Sequence, residues 1–199
     1  RPPAVAGQFY PADARKLKLA VEQFLESSAA IPMEKPVALV VPHAGYVYSG
    51  QISADAFRQA AGHPYDVVVL LGVNHTTPGF RGISLGDYGS FDTPLGPVAV
   101  DRELAAALLE GCADCNRDRT VHAREHSIEV QLPFVQTLFP NARIVPAILH
   151  PADAAMCTRF GETLAKALRN RRALIVISSD LSHYPAQANA VKADHGTLR

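Results

Sequence analysis

The sequence lacks an excess of charge, long apolar runs and a secretory signal. Its 19 Lys and Arg residues balance 19 Asp and Glu residues, so we expect no nucleic-acid partner and no attraction to an anionic membrane. No apolar run approaches the roughly 20 residues that a helix needs to cross a bilayer. The first residues lack the basic-then-apolar order of a secretory signal. They also lack an initiator Met, and we expect a processed or trimmed end.

Cysteine is scarce as well. The odd count of three, Cys112, Cys115 and Cys157, argues against a disulfide framework and favours a reducing cytoplasmic compartment. Cys112 and Cys115 have CxxC spacing, but no second CxxC completes a zinc set. We therefore expect two small residues at a helix end. A G-x-S-x-G elbow is absent and Cys157 lies in a helical pattern, which disfavours a nucleophilic serine or cysteine.

Apolar runs alternate with amphipathic stretches along the chain. Short buried strands are predicted at 37–41, 66–71, 142–149 and 173–178, and continuous apolar runs of this kind suit a sheet covered on both faces. The 3.6-residue periodicity predicts helices at 13–27, 49–61, 101–110, 128–138 and 153–169, and weakly from 186 onward. Residues 81–100 alternate in short segments broken by turns, which predicts a β-excursion. The fold class is therefore α/β, three-layer αβα with a mostly parallel central sheet.

Side chains able to bind a metal follow the predicted strands. They are His43, His75, His150 and the pair Asp180 and His183. Because ligands bind at the carboxyl ends of strands in an open α/β sheet, these residues predict a metal site or an acid/base site on one rim. A histidine that only satisfies loop carbonyls is the alternative for His43, and His150 fits either the rim or a turn.

Asp180 and His183 stand three residues apart, which would place them on one face of a helical turn. Such a pair suits a metal-binding set, or a general base with its orienting acid. A plain helix cap with an exposed His183 is the alternative.

A further cluster contains His122, Glu125 and His126. Its histidines have the H-x-x-x-H spacing of zinc-protease helices, but the glutamate directly precedes the second histidine rather than following the first. We expect Glu125 and His126 to line the cleft at a helix start, where His126 would donate a hydrogen bond or act as a base. His63 and His195 are expected on the surface.

Four motifs in order, P-H-A-G-Y-x-Y-S-G, G-x-N-H, E-H-S-I-E-V-Q-L-P-F and S-S-D-L-S-H-Y, together resemble the Memo family, whose bacterial and archaeal members are often called AmmeMemoRadiSam system protein B. The opening R-P-P-A-V-A-G-Q-F-Y-P-A-D also resembles the usual start of that family. The resemblance covers nearly the whole chain. It implies a fold like the class III extradiol dioxygenases, whose LigB-type subunit binds non-haem Fe(II).

The resemblance also implies a cleft that holds His43, His75, Asp180 and His183. In Memo proteins two histidines and a cysteine are associated with metal binding, and that cysteine lies downstream of the D-L-S-H motif. This chain ends 16 residues after His183 without such a cysteine. We therefore expect one domain over residues 1–199 that lacks its C-terminal segment.

Three functions follow from these observations. The first is a Memo-type protein that binds iron, or another transition metal, with a small-molecule or peptide ligand in its cleft. The second is an active Fe(II) dioxygenase in which His43, His75 and Asp180 hold the metal and His183 or His126 is the acid/base group. The third is a metal-free binding module. The family label also suggests a radical-SAM protein as partner.

Overall fold

The computed structural model describes residues 1–31, 33–151 and 153–198. In that part of the chain, strands and helices alternate over most of the length, as the hydrophobic pattern predicts. The strands are β1 (Ala38–Val41), β2 (Val67–Val73), β3 (Gly82–Ser84), β4 (Ser90–Thr93), β5 (Gly96–Ala99), β6 (Cys115–Asn116), β7 (Arg143–His150) and β8 (Ala173–Ser178). The helices are α1 (Ala14–Ser27), α2 (Tyr46–Arg58), α3 (Arg102–Gly111), α4 (Arg119–Ala123), α5 (Leu132–Leu138), α6 (Ala154–Ala167) and α7 (Gln187–Thr197).

The central sheet has six strands in the order β1-β8-β2-β7-β3-β6. Strands β1, β8, β2 and β7 are parallel, whereas β3 runs antiparallel to β7. The β-excursion is confirmed: β3 joins the main sheet, and β4 pairs with β5 in a separate hairpin. The carboxyl ends of β1, β8 and β2 consequently lie side by side at one edge of the sheet.

Helices pack against both faces of the sheet. Because successive side chains of a strand point to opposite faces, Val68 and Leu70 of β2 join the core beneath α1, α2 and α5, whereas Val67 and Val69 join the core beneath α3 and α6. This arrangement confirms the predicted α/β class and its three-layer αβα architecture. None of the helices in the described residues is long and apolar enough to cross a membrane.

Three of the predicted helices, 13–27, 101–110 and 153–169, begin where the pattern placed them. Asp13, Asp101 and Asp153 each accept a hydrogen bond from a backbone N–H in the first turn of α1, α3 and α6. The predicted helix start at Ser49 is wrong, because α2 begins three residues earlier at Tyr46 and Ser49 is buried inside the helix. The segment between the predicted helices 101–110 and 128–138 also contains the short helix α4.

The prediction that both faces of the sheet are covered holds for β2 but is wrong for β1. Leu39 and Val41 are buried, whereas Val40 is 49% exposed. The reason is position: β1 is an edge strand, and the cores formed by α3 and α6 contain side chains of β2 and β7 but none of β1 among the described residues.

Candidate metal centre

Three predicted positions meet at the carboxyl edge of the sheet. His43 follows β1, His75 follows β2 and Asp180 follows β8, and these three strands are neighbours. A fourth side chain, His126, comes from the segment between α4 and a short 3-10 helix at Glu129–Gln131. The tertiary structure therefore combines residues more than 130 positions apart in one cleft.

The centre of this cleft is a group of three imidazoles. One possible ligand atom from each of His43, His75 and His126 lies within 4.8 Å of the other two. The ring centroids are 5.2 Å apart for His43 and His75, and 4.6 Å apart for His75 and His126. Neutral imidazole nitrogens are common ligands of transition metals, so this group could hold a metal ion.

His43 is the most buried of the three histidines, at 3% exposure. Its Nδ1 lies 2.9 Å from Ser178 Oγ, and its backbone N–H donates to Asp180 Oδ1. Burial lowers the pKa of His43, although the nearby Asp180 carboxylate opposes this effect. The imidazole is therefore neutral near pH 7, which is the form that binds a metal.

His75 is held by the buried side chain of Glu125. Its Nδ1 lies 3.0 Å from Glu125 Oε1, and this hydrogen bond raises the pKa of His75. Burial alone would raise the pKa of Glu125, but hydrogen bonds from the His75 side chain and backbone and from Ser127 lower it to about 2. Glu125 is therefore a carboxylate at neutral pH and a fixed acceptor beneath the cleft.

His126 contacts the same Glu125 carboxylate and the N-terminal segment, residues 1–10. Its Nδ1 is 3.3 Å from Glu125 Oε1, and the ring of Phe9 is 4.7 Å from its own ring. Burial lowers the pKa of His126 despite the neighbouring carboxylate. Sequence reasoning expected His126 in the cleft as a hydrogen-bond donor or base; the structure places its ring beside those of His43 and His75.

Asp180 and His183 also meet, but by a different backbone route. The helical turn predicted for them is wrong, because Leu181 and Tyr184 have left-handed φ angles of 60° and 64°. The pair nevertheless forms, with His183 Nε2 3.2 Å from Asp180 Oδ2. The same oxygen lies 3.6 Å from His43 Nε2, so the carboxylate faces the histidine group.

A cavity of about 650 Å³ opens above the three histidines. Its wall includes the aromatic side chains of Phe9, Tyr48 and Tyr184, together with His183 and Asp180. Apolar rings with a few convergent polar groups are typical of a small-molecule site.

The other singled-out residues lie elsewhere. His150 ends β7 with an exposed side chain, and His122 is buried against Ser84, where burial lowers its pKa to about 4. Cys112 directly follows α3, as expected for a small residue at a helix end, whereas Cys115 lies in β6.

Sequence reasoning missed the polar residues beneath the cleft. Ser178 contacts His43, Gln131 contacts Ser178, and Glu129 binds the N-terminal segment through Arg1. The available signal was the set of polar residues Glu129, Gln131 and Ser178 inside otherwise apolar elements. Buried polar groups are expected to be hydrogen-bonded, and such positions therefore predict a network.

Fold and site together define an α/β protein with a histidine cleft at the carboxyl edge of a mostly parallel sheet. The family model described as Memo-like protein matches residues 1–199. A MEMO1 family protein of Methanopyrus kandleri is 38% identical, over 100% of this chain and 74% of the relative. Relatives from Methanocaldococcus jannaschii and Aquifex aeolicus are 40% and 39% identical, over 98% of this chain and 73% and 71% of their own lengths. The chain belongs to the Memo family, as its motifs predicted.

Proposed function

We propose that this Memo-family protein binds a transition metal, with iron as the expected ion, through His43, His75 and His126. The single observation that carries the proposal is the convergence of three imidazoles whose Nδ1 atoms each lie close to an oxygen atom. Ser178 supplies that oxygen for His43, and Glu125 supplies it for His75 and His126. Metal-binding histidines almost always place their second ring nitrogen against such an oxygen. The residues present therefore fit a metal ion.

When bound, an iron ion would supply Lewis-acid and one-electron chemistry at the floor of the cavity. The chain itself contributes the surroundings. Glu125 and Ser178 orient the imidazoles, Phe9 and Tyr48 line one side of the cleft, and His183 can hold or accept a proton beside Asp180. A small molecule or a peptide side chain is the ligand class that this cavity suits.

An extradiol-type dioxygenase is the second candidate function. It is supported by the position of Asp180, whose Oδ2 faces His43 Nε2 at 3.6 Å. Two histidines with one carboxylate form the facial triad of non-haem Fe(II) oxygenases, which would add Asp180 to His43 and His75. In that case His183 or His126 would serve as the acid/base group, and the aromatic wall would hold a catechol ring.

Metal analysis and oxygen uptake test these functions together. The protein is purified without added metal, analysed, loaded with Fe(II) anaerobically and then assayed with catechols. Bound iron without oxygen uptake supports the main proposal, and uptake supports the dioxygenase. A failure to bind Fe(II) after loading would contradict both and favour a metal-free binding module.

The site itself is tested with His43→Ala. We expect this variant to lose metal binding while its far-ultraviolet circular dichroism stays unchanged, because His43 lies in a loop rather than in a core strand. His150→Ala is the control, since His150 is the last residue of β7 and has an exposed side chain away from the cleft. Unchanged metal stoichiometry in His43→Ala would sink the assignment.

The odd number of cysteines supports a cytoplasmic location, where thiols remain reduced. A radical-SAM protein is the partner that we propose from the family label. Co-purification from a cytoplasmic fraction is the measurement that tests both points, and recovery of the protein from another compartment would contradict the first.

A further inference from the structure

A histidine binds a metal only through a ring nitrogen that carries a lone pair, so the tautomer of each imidazole decides whether the cleft can bind one. In water a neutral imidazole exchanges between two tautomers. The hydrogen bonds beneath the cleft settle which tautomer His43 and His75 adopt. This inference rests on the proposed function and concerns the residues that prepare the site.

The hydroxyl of Ser178 has its full set of hydrogen-bond partners. A serine hydroxyl donates one hydrogen bond and accepts two. Ser178 Oγ donates to the carbonyl oxygen of Ser127 at 2.6 Å, and that oxygen can only accept. Ser178 Oγ must therefore accept from its two remaining neighbours, Gln131 Nε2 at 3.1 Å and His43 Nδ1 at 2.9 Å.

The orientation of the Gln131 amide is fixed independently. Its Nε2 also donates to the carbonyl oxygen of Pro42 at 2.9 Å. A flipped amide would place its oxygen against that carbonyl, and two acceptors would face each other. Gln131 therefore donates to Ser178, and no rearrangement of this amide frees the hydroxyl to donate to His43.

Glu125 imposes the same tautomer on His75. Its Oε1 accepts from the backbone N–H groups of His126 and Ser127, and its Oε2 accepts from the backbone N–H of His75. Backbone N–H groups can only donate, so both oxygens act as acceptors. The contact between Oε1 and His75 Nδ1 at 3.0 Å is then a hydrogen bond donated by the imidazole.

We propose that Ser178 and Glu125 are positioning residues that hold His43 and His75 as Nδ1–H tautomers, so that both Nε2 lone pairs are available to one metal ion. Ser178, with Ser127 and Gln131, carries no ligand of its own. Its role is to fix the tautomer of His43 before a metal ion binds.

The test uses the metal-free protein labelled with ¹⁵N and long-range ¹H–¹⁵N correlation spectra above neutral pH. These spectra distinguish a protonated ring nitrogen from one with a lone pair. His43→Gln assigns the His43 signals by their loss. We expect His43 as the Nδ1–H tautomer in the wild type, and its partial or complete conversion to Nε2–H in Ser178→Ala.

Co(II) binding, followed by absorption, is the second measurement. Ser178→Ala should weaken it by about 10- to 100-fold, the usual effect of removing an oxygen that orients a metal-binding histidine. Ser179→Ala is the matched control, because within the described residues the Ser179 hydroxyl accepts from the backbone N–H of Leu181 and has no other hydrogen bond. Glu125→Ala, which leaves no side-chain oxygen to accept from Nδ1, repeats the experiment at the second histidine with the His75 signals.

The two measurements separate the inference from the function on which it rests. An Nε2–H tautomer of His43 in the wild type, or an unchanged tautomer of His43 in Ser178→Ala or of His75 in Glu125→Ala, would overturn the inference whatever the metal does. If the wild type failed to bind Co(II) and Fe(II) but showed both His43 and His75 as Nδ1–H tautomers, the tautomer assignment would hold and the metal-binding function would be wrong.

Discussion

Replacing Glu129 with Gln tests how the N-terminal segment is held against the histidine cleft. The carboxylate of Glu129 is fully buried and accepts hydrogen bonds from Arg1 Nη2 at 2.7 Å and from the hydroxyl of Tyr10 at 2.6 Å. It also accepts from the backbone N–H groups of Ala4 and Val5. The substitution keeps the shape of the side chain but removes its charge and one of its accepting oxygens.

The magnitude follows from the burial of the pair. The side chains of Arg1 and Glu129 are 2% and 0% exposed, so Gln at 129 leaves the guanidinium without its counter-charge. Breaking a buried ion pair in this way costs about 3 to 5 kcal/mol. An amide N–H group would also face donors such as the Tyr10 hydroxyl. We expect the free energy of unfolding to fall by that amount.

Urea denaturation at neutral pH measures the loss. Glu22→Gln is the matched control, because among the described residues Glu22 forms one ion pair, the exposed pair with Lys18 on α1, and we expect a change within about 0.5 kcal/mol. A loss below about 1 kcal/mol in Glu129→Gln would refute the reasoning. It would mean that the contacts of the N-terminal segment, and with them the packing of Phe9 on His126, contribute little to the folded state.

Three further predictions concern the cleft and its floor. The pKa of Glu125 is lowered from 4.5 to about 2, so its carboxylate should add on the order of 3 kcal/mol of stability above pH 4.5, and this stability is lost as the pH falls toward 2. Urea unfolding between pH 2 and pH 4.5 should therefore depend less on pH in Glu125→Gln than in the wild type. An equal pH dependence would contradict the prediction. Gly72→Ala would place a Cβ 2.5 Å from Ser127 Oγ and should lower the free energy of unfolding by about 1 to 3 kcal/mol in the same assay. Gly161→Ala lies in open space on α6 and should raise it by about 0.5 to 1 kcal/mol. Equal effects would argue against crowding beneath the cleft. In thermal unfolding, Co(II) at 100 times its Kd should raise the free energy of unfolding of the wild type by about 2.7 kcal/mol. The same Co(II) concentration should leave the stability of His75→Ala unchanged. A similar stabilisation of both proteins would place the metal elsewhere.

Local pattern predicted the elements well where one strong signal acted. The apolar runs of β2, β7 and β8 and the starts of α1, α3 and α6 lie close to their predicted places. Prediction failed at Ser49 because a good capping residue also fits inside a helix when its hydroxyl finds a backbone carbonyl, here that of Ala44 at 3.1 Å. It failed at β1 because periodicity does not report whether a helix covers the second face of an edge strand.

The sequence by itself determined the α/β class, the family and the strand ends that carry His43, His75 and Asp180. These depend on local periodicity and on short motifs, which a single chain displays directly. Only the tertiary structure decided that His126 joins the histidines, that Asp180 and His183 meet through a left-handed turn, and that Ser178 and Glu125 face imidazole nitrogens. The physical reason is distance along the chain: hydrogen bonds between residues 50 to 135 positions apart depend on strand order and register, which no local pattern encodes.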